Sequence, residues 1–232
     1  MIAVSLPRLR RLFLSLVAPV LSAFLGGAFA SAQTPLSASD FNRPVKLACV
    51  GDSITAGVGA SPGKSYPDQL QALLGPKWQV KNFGVSGRTL LRQGDYPWWK
   101  ESAYKDSHDF QPDAVVIMLG TNDTKPQNWV HLDQFDQDYK DLIDSFKALP
   151  SHPQIWLMRP PPSLLTDPSS INEPNVKILL GKVDQLAKDE GVGEIDIHGA
   201  IPATKAMFPD GIHPSDPGAA ILARTVAQAI SK

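Results

Sequence analysis

Short apolar runs alternating with amphipathic stretches are the feature that most restricts the fold of this chain. The clearest run is AVVIML, Ala114–Leu119, in which six consecutive apolar residues lie between Pro112-Asp113 and Gly120. A run of this length between turn-forming residues predicts a strand that is buried on both faces. Similar runs predict four further strands, at Val45–Val50, Trp78–Phe83, Gln154–Met158 and Glu194–Ile197.

The stretches between these runs have the three- and four-residue apolar spacing of amphipathic helices. Strands that alternate with helices predict βαβ units, and right-handed crossovers place helices on both faces of the sheet. We therefore expect an α/β fold, a three-layer α/β/α sandwich around a mostly parallel five-stranded sheet, formed by one domain over residues 45–232. The predicted helices are Tyr66–Leu74, Trp98–Ser107, Leu132–Leu149, one within Ile171–Asp189, and Pro217–Ile230.

The first 32 residues have a different composition from the rest of the chain. Three arginines precede the apolar run Leu12–Ala30, which ends in small residues with the A-x-A pattern. This pattern predicts a secretory signal peptide, cleaved after Ala30 or Ala32, and a secreted or periplasmic protein. An uncleaved membrane anchor is the alternative, because the run approaches the length that spans a bilayer, although Pro19 weakens it as a helix.

Charge and cysteine content exclude several classes of partner. The formal net charge is −1, and it becomes −4 without the three arginines of the leader, so nothing predicts a nucleic-acid partner. Cys49 is the single cysteine, which rules out an intrachain disulfide and is expected to be a buried thiol. No set of His, Cys and carboxylate residues has metal-ligand spacing, so we expect no metal or other cofactor.

The segment 33–44 is expected to be a linker between the leader and the domain. Stable membrane insertion is not expected after cleavage, and the oligomeric state is left open.

The stretch CVGDSITAGVGASPGKS, Cys49–Ser65, holds two serines that could carry chemistry. A phosphate-binding loop ending at Ser65 would require glycine at position 58, where the sequence has Val58. Ser65 is therefore expected in a solvated loop near a helix start. Ser53 does not lie in a G-x-S-x-G elbow either, because position 55 is Thr55.

Ser53 lies just beyond the first predicted strand, at a strand-to-helix turn, and it could act as a nucleophile if a base and a carboxylate were nearby. Both occur in FPDGIHPSDPG, where His213 follows Asp210 by three residues. Gly211 and Pro214 favour a turn there, so the carboxylate can reach the imidazole of the same loop. It would then leave the other ring nitrogen free to accept a proton.

Three loops offer hydrogen-bond donors for the oxyanion of an acyl-transfer reaction. The candidates are the backbone N–H of Ser53, Gly87 in GVSGRT and the side chain of Asn122 in GTND. All follow predicted strands, and ligands of such sheets bind beyond the carboxyl ends of the strands. Asp52 and Asp123 are expected to hydrogen-bond the backbone of these loops.

The four blocks GDSITAG, GVSGRT, GTND and DGIHP occur in the order found in GDSL/SGNH hydrolases, and the chain resembles that family from Val45 to its C-terminus. The resemblance implies a flavodoxin-like α/β/α fold. The sequence matches the family pattern at each of the five site positions named next. It implies a catalytic Ser53 with Asp210 and His213, and an oxyanion hole completed by Gly87 and Asn122.

Aromatic residues with charged neighbours in the strand-end loops suit sugar rings, although the same tryptophans could equally pack in a core or a lid. The loops also resemble those of secreted SGNH carbohydrate O-acetylesterases, including sialate- and xylan-type members. The expected substrate is therefore a small-molecule or polysaccharide ester. The candidate substrate-binding residues are Arg88, Trp98, Trp99, Lys125, Trp129 and Arg159.

The leading hypothesis is a secreted serine esterase that removes O-acetyl groups from carbohydrates. A lysophospholipase or acyl-thioesterase of the same fold and a polysaccharide O-acetyltransferase are alternatives, because one fold supports many activities. A non-catalytic carbohydrate-binding module is disfavoured by the intact five-residue set. The other histidines, His108, His131, His152 and His198, are expected to be structural or on the surface.

Overall fold

A computed structural model describes residues 1–2 and 33–232 of the chain. The predicted signal peptide therefore lies, apart from its first two residues, outside the described residues. Within the described ranges, none of the helices combines the length and the apolar character needed to cross a bilayer.

Five strands form a single sheet in the order β2-β1-β3-β4-β5, and every pairing within it is parallel. The predicted α/β fold with a five-stranded sheet is confirmed. From β1 the chain goes to β2 on one side, and from β2 it crosses to β3 on the other side of β1. This reversal of strand order leaves a crevice at the carboxyl ends of β1 and β3. The strands are β1 Val45–Gly51, β2 Trp78–Gly84, β3 Ala114–Met118, β4 Gln154–Arg159 and β5 Gly193–Asp196.

Helices connect the strands, and short 3₁₀ turns cover Ala38–Asp40, Trp98–Lys100, Asn122–Thr124 and Leu132–Gln134. The α-helices are α1 Ser53–Ala56, α2 Tyr66–Leu74, α3 Ser102–Asp109, α4 Pro126–Trp129, α5 Phe135–Lys147, α6 Glu173–Glu190, α7 Ile197–Ala200 and α8 Asp216–Ile230.

Two predicted elements differ from the structure for a visible physical reason, and the ends of several others are shifted by one to three residues. The predicted helix Trp98–Ser107 is wrong as one element, because Glu101 has an extended backbone with φ −85° and ψ 152°, which separates the 3₁₀ turn from α3. The fifth strand lies one residue earlier than predicted and excludes Ile197. There, the carboxylate of Asp196 accepts the N–H of Gly199 at 2.9 Å and begins α7.

The sheet separates two apolar cores, as a three-layer sandwich requires. Val115 and Ile117 of β3 point into the core covered by α5 and α6, whereas Val116 and Met118 point into the core covered by α2 and α8. Cys49 is fully buried in the second core, as expected. Burial of large side chains such as these stabilises each layer by roughly 1.5–3 kcal/mol per side chain.

The segment 33–44 packs against the domain instead of forming the expected linker. The N–H of Leu36 donates to the carbonyl of Ile230 at 2.8 Å, and Lys232 donates back to Leu36 at 3.0 Å. Arg43 makes a two-pronged ion pair with Asp113, at 2.6 and 2.8 Å. These contacts make the segment part of the folded unit.

Candidate active site

Ser53 is the first residue of α1 and is separated from the end of β1 by Asp52 alone. The preceding carboxylate, Asp52, accepts the N–H of Ile54 at 2.9 Å and caps the helix. Gly51 is required at the strand end, because a Cβ there would lie 2.1 Å from the hydroxyl of Thr55 and 2.8 Å from the carbonyl of Met118. The turn therefore holds the Ser53 hydroxyl at the crevice between β1 and β3.

The hydroxyl of Ser53, the imidazole of His213 and the carboxylate of Asp210 form one hydrogen-bonded line. Ser53 Oγ lies 2.9 Å from His213 Nε2, and His213 Nδ1 lies 2.6 Å from Asp210 Oδ2. Because a carboxylate only accepts, Nδ1 donates its proton to Asp210, and Nε2 accepts from the Ser53 hydroxyl. The arrangement can transfer a proton from Ser53 to His213 while an ester carbonyl is attacked.

The loop that carries Asp210 and His213 keeps the carboxylate ionised. The N–H groups of Ile212 and His213 both donate to Asp210 Oδ1, at 2.9 and 2.8 Å. Partial burial opposes ionisation, but these bonds and the adjacent imidazole lower the pKa of Asp210 to about 2. The structure contains the hydrogen bond between Asp210 and His213 that their three-residue spacing predicts.

The candidate oxyanion donors come from the loops after β2 and β3. Gly87 has φ +80°, a left-handed conformation that favours glycine, and the space where its Cβ would lie is open. Asn122 is 3% exposed, and its Nδ2 donates to the carbonyl of Arg88 at 3.1 Å. The side-chain amide of Asn128 in turn donates to the carbonyl of Asn122 at 2.9 Å. The structure therefore brings the Asn122 amide against the residue that follows Gly87.

Two fully buried carboxyl groups lie behind these donors. Burial raises the pKa of Asp52 to about 6 and that of Asp123 to about 7. Asp123 accepts the N–H groups of Leu90 and Leu91 at 3.0 and 2.8 Å, which confirms its expected role in holding a loop. That loop also carries Gly87, so Asp123 sets the position of a candidate oxyanion donor.

Sequence reasoning missed a link between Asp52 and Asn122. Asn122 Nδ2 approaches Asp52 Oδ2 at 3.4 Å, and the two residues follow the neighbouring strands β3 and β1. Asp52 therefore contacts the candidate donor as well as the turn that holds Ser53. The two residues belong to different motif blocks, and only the parallel pairing of β1 with β3 could have indicated that they meet.

Arg88, Lys125 and Trp129 lie in segments attached to Asn122. The carbonyl of Arg88 receives the Asn122 side chain, and the N–H of Lys125 lies 3.3 Å from the Asn122 carbonyl. Trp129, at the end of α4, is half-buried and packs against the core under α5. Arg88 and Lys125 are thus near the candidate donors, whereas Trp129 mainly supports the segment beneath them.

The structure corrects the substrate contact predicted for Trp98. Its side chain is fully buried, and its indole N–H donates to the carbonyl of Phe83 at 3.1 Å, so a substrate cannot reach it. Trp99 is half-buried, with its indole N–H on the carbonyl of Leu90 at 2.7 Å.

Arg159 lies at the end of β4 in a cluster of carboxylates. It pairs with Asp184 of α6 at 3.2 Å and with Asp196 of β5 at 3.4 Å. These pairs hold the guanidinium against the β5 edge of the sheet. Among the described residues, the Arg159 guanidinium pairs with these carboxylates and not with the group around Asn122, so its contacts give no support to the predicted substrate role.

Two of the remaining histidines have structural contacts, as expected. His108 hydrogen-bonds Ser145 at 3.0 Å and stacks on Phe146, and His198 lies 2.9 Å from Glu173. Across residues 1–2 and 33–232, no three His, Cys, Asp or Glu side chains are grouped so that they could hold a metal ion.

Comparison of the sequence with known proteins identifies its relatives. The model of the GDSL-like Lipase/Acylhydrolase family matches residues 49–221. An acetylxylan esterase of Xylanibacter ruminicola is 38% identical over 211 residues, which is 80% of this chain and 43% of that protein. The chain thus spans less than half the length of this relative.

Solved structures share the fold. The carbohydrate acetylesterase Est24 of Sinorhizobium meliloti superposes with a TM-score of 0.67 at 22% identity, covering 79% of this chain and 97% of that one. The aryl esterase of M. smegmatis superposes with a TM-score of 0.64 at 22% identity, with the same coverage of both chains.

Proposed function

The chain belongs to the GDSL-like lipase/acylhydrolase family, and we propose that it is a serine esterase that removes O-acetyl groups from carbohydrates. The observation that carries this proposal is the hydrogen-bonded line from Ser53 through His213 to Asp210. The acetylxylan esterase of X. ruminicola, with 38% identity, supports an acetylated xylan-type polysaccharide as the substrate. The reaction requires no cofactor.

In the first half of the proposed reaction, Ser53 Oγ attacks the acetyl carbonyl while His213 Nε2 takes the hydroxyl proton. Asp210 stays ionised and stabilises the imidazolium that forms. The N–H groups of Ser53 and Gly87 donate to the oxyanion. The side-chain amide of Asn122 also donates to it, after exchanging its bond to the Arg88 carbonyl for the oxyanion. Each such donor is worth about 3–4 kcal/mol in the transition state. His213 then returns the proton to the sugar oxygen, which leaves as the free hydroxyl.

In the second half, water hydrolyses the acetyl–Ser53 ester. His213 Nε2 accepts a proton from the water as the water oxygen attacks the acetyl carbon. The tetrahedral intermediate uses the same three donors. Its collapse breaks the bond to Ser53 Oγ, the proton moves from His213 to that oxygen, and acetic acid leaves and ionises to acetate in solvent. The enzyme is thereby restored.

Acetate release by the purified protein tests the substrate class. We expect release from acetylated xylan, and we expect p-nitrophenyl ester hydrolysis to fall as the acyl chain lengthens from acetyl to octanoyl. Flat or rising activity along that series, with fatty acid released from lysophospholipids or acyl-thioesters, would favour the lipid alternative. Acetyl-donor consumption that depends on a polysaccharide acceptor would favour an acetyltransferase.

A Ser53→Ala variant tests the nucleophile. We expect kcat to fall by about 10⁴-fold or more, since the remaining site retains only binding and oxyanion donors. Ser65→Ala is the matched control, because Ser65 caps α2 and its hydroxyl contacts Asp68 at 2.6 Å. Wild-type turnover in the Ser53 variant would overturn the mechanism.

We also propose that residues 1–32 direct export and are then removed. The A-x-A pattern at Ala30 and Ala32 supports this. N-terminal sequencing of the protein from its producing cells should give a chain that begins at Ser31 or Gln33. A membrane-bound protein that still begins at Met1 would contradict cleavage.

A further inference from the structure

Tyr96 is an aromatic side chain that the fold leaves in solvent. It is 59% exposed, and among residues 1–2 and 33–232 no other aromatic side chain has a comparable exposure. The other aromatic residues of its loop are covered: Trp98 is fully buried and Trp99 half-buried. A single exposed ring is common on protein surfaces, so the surroundings of Tyr96, and not its exposure alone, carry the inference.

The backbone on both sides of Tyr96 is held firmly. The carbonyl of Tyr96 accepts the N–H of Thr89 at 3.0 Å, and Trp98 donates to the carbonyl of Thr89 at 2.9 Å. Asp95 donates its N–H to the side chain of the fully buried Asn128 at 2.8 Å and accepts from the same side chain at 3.0 Å. The exposed ring is thus mounted on an anchored segment, which reduces the entropy lost when a ligand binds.

These anchors are shared with the candidate oxyanion donors. Asn128, which holds Asp95, also donates to the carbonyl of Asn122. The ring of Tyr96 lies 5.7 Å from the Arg88 guanidinium, and Arg88 directly follows Gly87. The aromatic ring is therefore next to the side chain that neighbours the ester-binding position, at the same edge of the sheet.

Arg88 retains hydrogen-bonding capacity beside this ring. Its Nε donates to Glu101 at 2.8 Å and its Nη1 to the carbonyl of Ser86 at 2.7 Å. A guanidinium has five N–H donors, so these two bonds orient the group and leave donors for a ligand. The Arg88 guanidinium lies over one face of the Tyr96 ring, 5.7 Å from its centroid, so a sugar would stack on the opposite face with the Arg88 donors close by.

We propose that Tyr96 and Arg88 form a subsite for a sugar unit that adjoins the acetylated unit of a polysaccharide. One face of a pyranose ring carries C–H groups with partial positive charge, and these stack on the electron-rich face of an aromatic ring. The hydroxyl groups at the edge of the sugar accept hydrogen bonds from Arg88. This inference rests on the proposed carbohydrate esterase function and assigns the part of the site that recognises the chain.

The test compares two substrates in each of four proteins. Acetylated xylo-oligosaccharides occupy the subsite, whereas ethyl acetate is too small to reach it and has no aromatic group. The proteins are the wild type, Tyr96→Ala, Tyr96→Phe and Leu73→Ala, the last being a control on α2 at a residue that is 54% exposed. The readout is the ratio of kcat/KM for the oligosaccharide to kcat/KM for ethyl acetate.

We expect Tyr96→Ala to lower this ratio about five- to tenfold, mainly by raising KM for the oligosaccharide, as loss of one aromatic contact implies. Tyr96→Phe keeps the ring and should stay within twofold of the wild type, and Leu73→Ala should match it. An unchanged ratio in Tyr96→Ala, or an equal loss in Tyr96→Phe, would overturn the stacking role. A wild type that hydrolyses ethyl acetate but not the oligosaccharides would instead refute the carbohydrate substrate, and the subsite with it.

Discussion

Carboxyl groups lie on two sides of Ser53 in opposite surroundings. Asp210 lies in the loop before α8 with its side chain 54% exposed, whereas Asp52 and Asp123 are completely buried behind the oxyanion loops. Hydrogen bonds and the adjacent imidazole outweigh partial burial and lower the pKa of Asp210 to about 2. Burial outweighs the same kind of hydrogen bonds at the other two, and raises the pKa of Asp52 to about 6.

The difference separates two tasks. A carboxylate near solvent pays little for its charge, so Asp210 can stay ionised and stabilise an imidazolium at His213. Buried carboxyl groups are costly when charged, but their oxygens accept several backbone donors and hold loops in one geometry. Asp210 thus contributes a negative charge beside His213, whereas Asp52 and Asp123 fix the positions of the loops.

Loss of the charge at Asp210 should have the largest effect on activity. In Asp210→Asn, the amide keeps the shape but can hold His213 in the wrong tautomer, so we expect kcat to fall about 10³–10⁴-fold. Steady-state hydrolysis of an aryl acetate measures this. Asp216→Asn, in the same region of the chain, is the matched control. Activity within tenfold of the wild type would show that the charge at Asp210 is dispensable.

Loss of a buried acceptor at Asp52 should have a smaller effect on activity. The amide of Asp52→Asn has one acceptor oxygen where the carboxylate serves both Ile54 N–H and the Asn122 side chain. One donor then loses its partner, and Asn122 shifts from the oxyanion position. We expect kcat to fall about 10–100-fold with little change in KM. A raised KM with unchanged kcat would assign Asp52 to substrate binding instead.

The buried group Asp123 should make stability depend on pH in one direction. Its folded pKa of about 7 lies above the unfolded value, so the native state binds more protons between pH 4 and 7, and stability falls as pH rises. The unfolding free energy of the wild type minus that of Asp123→Asn should therefore decrease as the pH rises from 4 to 7. Urea unfolding across this range measures it, and an excess that grows with pH would contradict the buried-acid description.

Asp210 should make stability depend on pH in the opposite direction from Asp123, with the smallest effect of the four predictions. Its folded pKa of about 2 lies below the unfolded value, so its stabilisation is present above pH 4 and is lost as pH falls toward 2. Solvent screens this half-exposed group, so the stabilisation should be below about 1 kcal/mol. Thermal melts of the wild type and Asp210→Asn between pH 5 and 3 measure the difference. A wild-type advantage that increases with acidification would contradict the assignment.

Local patterns in the sequence predicted the parts that depend on local physics. The apolar runs located the five strands, and the three-residue spacing of Asp210 and His213 predicted a contact that the structure has at 2.6 Å. The loop positions also placed Ser53 and Asn122 at one edge of the sheet. Parallel strands bring their carboxyl ends together regardless of sequence distance, so this juxtaposition follows from the fold class.

Long-range packing decided the rest. Trp98 and Tyr96 lie two positions apart in one loop, yet one is fully buried and the other is 59% exposed. The sequence left core packing and sugar binding equally open for the aromatic residues of this loop. Trp98 packs into an apolar core and donates to the Phe83 carbonyl, contacts that come from residues distant in the chain. Likewise, the contact of Asp52 with Asn122 depends on the register of β1 against β3, which no single segment encodes.

Covalent trapping of the nucleophile tests the central assignment most directly. The purified protein is treated with an organophosphonate that forms a stable adduct with activated serines, and intact mass and peptide mapping locate the label. We expect one adduct per chain, on Ser53, with none in Ser53→Ala and much slower labelling in Asp210→Asn. A label on any other residue, or full esterase activity in protein labelled at Ser53, would contradict the assignment of Ser53 as the nucleophile.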